Sequence, residues 1–118
     1  SANFSFLIRR YALSDLYAGK IAAVLTREKM EGLERQPRFK GRDYFDLWWF
    51  KEKQVKWNSR YLSSLIGISS ETTIKKRLNA KIQEAVKRKA EIKADLLPFF
   101  TEPAFVAQFV ENLDKLKF

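Results

Sequence analysis

Apolar residues recur at helical spacing along most of the chain, and the breaks between those stretches fall at residues that start or stop helices. Ser14 is placed to cap a helix running to about Arg27, the segment LSDLYAGKIAAVLTR. Leu13, Leu16, Tyr17, Val24 and Arg27 form one stripe of it, with Lys20 in the middle. A second helix, from about Arg42 to Lys53, is apolar on nearly every side: Tyr44 with Trp48, Phe45 with Trp49, Leu47 with Phe50. Asn58 or Ser59 caps a short helix ending at Gly67. Ser70 then opens a long helix to about Leu97, where Pro98 forbids easy continuation. Pro103 suits the first position of a final helix, AFVAQFVENLDKLKF.

One stretch departs from this pattern. Phe4 to Tyr11 (FSFLIRRY) is short, aromatic and branched, and it predicts a strand whose partners lie upstream. The sequence thus predicts a single all-α domain over residues 1–118, a bundle of about five helices. The front strand is the one element outside it.

Composition narrows the chemistry. The chain has 118 residues, no cysteine and no histidine. Disulfides, thiol nucleophiles, zinc–thiolate sites and imidazole-based triads are therefore excluded. Any reaction must use Asp, Glu, Lys, Arg or Tyr. No apolar run is long enough to span a membrane, and a cysteine-free chain suits a reducing, cytoplasmic setting. Net charge is +9, which points to phosphate-bearing partners. Most of the excess sits in residues 20–42, with seven basic and three acidic side chains, and in 70–97, with eight and four.

Three groups of residues are candidates for function. Lys20 either snorkels from the core stripe or aims its ammonium into a cleft to hold a phosphate. Gly19 beside it costs about 1 kcal/mol in a helix interior, which is easier to understand if something packs closely on the backbone. Asp43 and Asp46, three residues apart, share a face of the second helix. Either Asp43 is an N-terminal carboxylate with an Arg42–Asp pair nearby, or it meets Lys20 across two packed helices; position alone leaves both open. The loop cations Arg27, Lys29, Arg35, Arg38, Lys40 and Arg42 lie close in sequence to both Lys20 and Asp43. The cations of the long helix share their face with Glu84, Glu91 and Asp95, as a solvated surface does.

The pair of segments DLYAGKIAAVLTR and GRDYFDLWWF, joined by a charged loop, resembles the AbiEii/AbiGii-type toxin nucleotidyltransferases. Residues 11–60 carry the resemblance closely, and the later helices carry it in general character. It implies a nucleotidyltransferase palm followed by a helical C-terminal part, with a nucleoside triphosphate and Mg²⁺ bound between them. The family's lysine falls on Lys20 and its acid on Asp43, the expected catalytic residues. Lys20, Arg27, Arg42 and Asp46 are the expected nucleotide-binding residues. The family's Gly-Ser turn and Asp-x-Asp metal pair are absent from this sequence. The implied partners are thus an upstream nucleotidyltransferase domain and a nucleotide, with RNA and a cognate antitoxin as further candidates. No metal ligand is assigned within the chain, no cofactor is expected for it alone, and by itself it is expected to be inactive. The alternative is a stand-alone basic helical module that binds nucleic acid or an antitoxin.

Overall fold

The computed structural model describes the backbone of residues 2–26 and 40–118, with side chains from Ala12 onward. The described residues form six α-helices and no strand: α1 (Ala2–Thr26), α2 (Gly41–Glu52), α3 (Ser59–Ile66), α4 (Glu71–Val86), α5 (Lys89–Leu96) and α6 (Pro103–Glu111). Single 3₁₀ turns follow α5 (Leu97–Phe99) and α6 (Leu113–Lys115). α1 packs against α2, α3 and α4, while α5 packs against α2, α4 and α6. α2 and α4 are therefore the elements shared between the two halves of the bundle. The core between them is built from Tyr17, Ile21, Leu47, Leu62, Ile74, Leu78, Ile82, Ile92 and Leu96, all fully buried.

Two expectations are corrected. Phe4–Tyr11 is not a strand but the first turns of α1, so Ser14 lies within the helix and is not its cap. Strand propensity needs a pairing neighbour to act through. No Gly or Pro interrupts Ala2 to Ala18, and a helix satisfies its own backbone groups as it propagates. The long helix from Ser70 is likewise two helices. Its hydrogen bonding tightens at Lys87 and Arg88, whose amides bond back to Glu84 and Ala85. α5 restarts from the Arg88 carbonyl, and the Arg88 guanidinium bonds Glu91 in its first turn. A straight continuation would keep Ile92 and Leu96 on the α4 stripe. The turn swings them instead onto α2 and α6, where they are buried.

Caps fix the other boundaries. The Asn58 carbonyl oxygen accepts from the Tyr61 amide at 3.0 Å, and its NH₂ donates to Asp15 at 2.8 Å. Its backbone amide donates to the Ser14 carbonyl, so one residue both starts α3 and ties it to α1. Gly67 ends α3 in the left-handed conformation, at φ +74°. Ser70 caps α4 by accepting from Thr73.

α2 uses all of its sides. Phe45 and Trp48 meet Phe100, Phe105 and Phe109 in edge-to-face contacts with centroids 4.9–6.2 Å apart. Phe50 stacks on Tyr17 at 4.6 Å, and Trp57 closes over the same ring edge-on at 5.4 Å. Trp48 and Trp49 are half-buried, packed against the core. Where α2 meets α5, Gly41 is pressed against the Ile92 backbone: a Cβ there would lie 2.9 Å from the Ile92 Cα. Gly19 is the opposite case, since no described atom lies within 4 Å of where its Cβ would be. The close neighbour expected at Gly19 does not come from the described residues.

These two glycines should respond oppositely to the same substitution. Gly41→Ala should lower unfolding free energy by about 1–2 kcal/mol, because the clash is with backbone that has little room to yield. Gly19→Ala should raise it by roughly 0.5–1 kcal/mol through helix propensity. Urea denaturation of the two variants beside the wild type measures both signs.

Candidate functional site

The polar site is built where α1 crosses α2. Lys20 projects from α1 between the half-buried and buried positions of that helix. Across from it, Asp43 and Asp46 occupy successive turns of one face of α2. The Lys20 ammonium donates to Asp43 Oδ1 at 3.2 Å and lies 3.0 Å from Asp46 Oδ2. Asp43 is the one buried charged residue among the described residues, at 2% exposure. Asp46 is the more open partner, its side chain 39% exposed, against 30% for Lys20. Asp43 therefore meets Lys20 across two packed helices and also stands as a carboxylate in the first turn of α2.

The electrostatics keep Lys20 charged. Burial pushes its pKa down, but the hydrogen bond it donates to Asp46, the charges of Asp43 and Asp46 and the bond it donates to Asp43 together outweigh that, and it stands above the ordinary lysine value. Tyr17, one turn earlier on α1, has its phenol pushed well above the usual range by burial.

An open groove of about 640 Å³ runs along α1 beside the cluster, lined by Ala12, Asp15, Leu16, Gly19, Lys20, Ala23 and Tyr61. Leu16 is 63% exposed in it, a departure from its predicted place on the buried stripe. Tyr17, Ala18, Ile21 and Val24 are the residues α1 buries instead. Arg42 is exposed and its guanidinium sits 4.3 Å from the centroid of Phe99. Arg27, and with it Lys29, Arg35 and Arg38 of the charged loop, lies outside the described residues. A second concavity of about 460 Å³ lies between α2 and the C-terminal residues, walled by Trp48, Phe105 and Phe109.

Sequence reasoning missed Asp95. Its carboxylate on α5 accepts from the Gly41 amide at 2.8 Å, at the start of α2. The signal available was faint: Lys40, the residue before α2, has no acceptor to cap a helix with, so the cap had to come from elsewhere.

No group of three or more carboxylates converges among the described residues, and the two that do meet are turned to Lys20. No helix among them is long and apolar enough to cross a membrane.

The described residues thus form a helical bundle that holds an ammonium between two carboxylates beside an open groove. A family model, described as nucleotidyl transferase AbiEii toxin, type IV TA system, matches residues 2–109. The chain belongs to this AbiEii nucleotidyltransferase toxin family. No curated protein and no solved structure matches it.

The raised pKa values of Lys20 and Tyr17 have one sign in common. In the unfolded chain these groups release protons near pH 10.4 and 10, as ordinary Lys and Tyr do, to within about a unit. The folded protein holds both protons to higher pH, so the stability linked to them is full below about pH 10 and is lost as pH rises through the folded values. Denaturant unfolding followed from pH 8 to 11 should show stability falling at the alkaline end. Lys20→Met should cost about 1–2 kcal/mol at neutral pH and flatten that fall.

Proposed function

We propose that this chain is the helical part of a nucleotidyltransferase site, contributing Lys20 and Asp43 to the binding of a nucleoside triphosphate and Mg²⁺. The observation that carries the reading is the convergence of Lys20 with Asp43 and Asp46 across 23 residues of sequence. Three further features support it. The chain belongs to the AbiEii nucleotidyltransferase toxin family, and the resemblance of its two segments implies a functional lysine at Lys20 and an acid at Asp43. Lys20 is held cationic and partly exposed, as an ammonium meeting phosphate oxygens must be. The groove beside it is open over Gly19, whose missing side chain no described residue uses.

In this reading Asp43 fixes the ammonium from the buried side, while Asp46, on the wetter side, gives way to a phosphate oxygen. Arg27 and Arg42 are the further nucleotide-binding residues that the resemblance implies. The cluster by itself carries two carboxylates for one ammonium, a formal charge of −1, so a triphosphate needs further positive charge to settle there. That charge, and the metal ligands the described residues lack, come from an upstream nucleotidyltransferase domain. The 118-residue chain alone is thus expected to be inactive. RNA or another acceptor, and a cognate antitoxin, are the partners this function would bring.

Labelled nucleoside triphosphates with Mg²⁺ test the reading, using the chain with its upstream coding region restored. Wild type should label an acceptor. Lys20→Ala and Asp43→Ala should each lose at least about 100-fold in rate, the scale of removing one preorganised charge contact, while circular dichroism stays helical. Transfer by the isolated chain above its own Lys20→Ala control, or full activity of both folded variants, would falsify the reading. Salt-sensitive nucleic-acid binding indifferent to Lys20 would then make the chain a basic binding module.

A further inference from the structure

We infer that Asp95 is the positioning residue of the Lys20–Asp43–Asp46 cluster: from α5 it caps the first turn of α2 and so sets where Asp43 stands. The inference rests on the proposed function only for its consequence in catalysis; the positioning itself is a property of this chain.

Three observations lead to it. The Gly41 amide is one of the donors that the start of every helix leaves without an intrahelical partner. Gly41 is buried, so the amide needs an acceptor from the protein. Lys40 caps nothing with its side chain, and the Asp95 carboxylate fills that role from 54 residues away, at 2.8 Å. The same residue is located a second time by shape. With hydrogen in place of a side chain, Gly41 lets the α5 backbone come so near that a Cβ would meet the Ile92 Cα at 2.9 Å and the Asp95 Cβ at 3.1 Å. The start of α2 is thus held against α5 twice over, by a hydrogen bond and by close contact.

Asp43 lies two residues on, about 3 Å along the helix axis and still within the first turn. Leu47 and Phe50 anchor the later turns of α2 in the core, so they stay in place if the first turn frays. Asp43 stands in that first turn, its amide donating to the Lys40 carbonyl at 3.1 Å, so it moves with the start of the helix. The Asp95 cap therefore helps to set where Asp43 meets Lys20, acting through the Gly41 amide.

The test reads the Lys20 ammonium directly by ¹⁵N NMR, its signal assigned by its disappearance in Lys20→Arg. Asp95→Ala should speed exchange of the Lys20 ammonium protons by about fivefold, the factor for one hydrogen bond of ordinary strength. Asp95→Asn keeps a side-chain oxygen for the Gly41 amide and should match wild type. Ser70→Ala removes the cap of α4 and controls for general loss of stability; it should leave the Lys20 signal unchanged. If Asp95→Ala does not fold, Asp95→Ser makes the same comparison with a shorter acceptor and a smaller increase.

A Lys20 signal unmoved in Asp95→Ala, or in Asp95→Ser where that variant stands in for it, overturns the inference. So does an equal change in Ser70→Ala. In the nucleotide-transfer assay, Asp95→Ala should lower kcat and Asp95→Asn should restore it. If wild type transfers nothing, the proposed function fails, while the Lys20 signal still decides the role of Asp95.

Discussion

The arrangement turns on a buried carboxylate. Asp43 stands in the first turn of α2 at 2% exposure, where an ionised side chain needs compensation. The start of the helix supplies part of it through its free amides and dipole. The Lys20 ammonium at 3.2 Å supplies the rest that the geometry displays. Satisfying Asp43 fixes the distance and the rotation of α1 against α2, because the two side chains come from different helices and meet at one place. Hydrophobic packing alone would be less exacting, since Tyr17 on Phe50 or Ile21 against the core could be met by several small shifts.

α2 can serve that interaction because its other faces are spoken for. Its aromatic side docks on α6 through Phe45 and Trp48, its far end stacks Phe50 on Tyr17, and its beginning is seated on α5 at Gly41. A short helix of 12 residues would be marginal by propensity alone. Here tertiary contact determines its position at both ends, and the polar face is what remains to point at Lys20. The break between α4 and α5 belongs to the same design. Turning at Lys87 and Arg88 is what brings Ile92 and Asp95 to the start of α2.

Much of this was legible in the sequence, and the rest was hidden for identifiable reasons. Helical periodicity, caps at Asn58 and Ser70 and the stop at Gly67 are local signals, and the structure follows them. The Lys20–Asp43 meeting is one of two alternatives that position along the chain leaves open, since spacing places each residue on a plausible face but does not record which helices pack. FSFLIRRY misled because strand preference is a property of a pairing surface, and no partner stands beside it among the described residues. The end of α4 has neither Gly nor Pro; the chain turns there because two separate surfaces each require part of the apolar stripe, which no local pattern records. Asp95 reads as one more charge on a mixed solvated face until α2 is seen to begin beside it. Leu16 was placed on the buried stripe by period alone, but its helix presents that edge to the groove.

The same charge arithmetic that makes Asp43 tolerable also limits what the cluster can do. One ammonium against two carboxylates leaves a formal charge of −1, whereas the chain as a whole is +9. An anionic substrate is therefore attracted to this protein at long range and resisted by the very residues proposed to receive it. At a separation of about 4 Å and a surface-like dielectric, each unit charge is worth about 4 kcal/mol, so a charge at the cluster weighs more on a bound anion than one far from it. The conflict resolves if the carboxylates are matched by cations that arrive with the substrate or from outside the described residues. The sequence offers Arg27, Lys29, Arg35 and Arg38 between the two helices, and a Mg²⁺-bound triphosphate brings its own charge. On the proposed function, a site that is electrostatically closed to nucleotide until its other half supplies positive charge would keep a toxin's helical domain silent on its own.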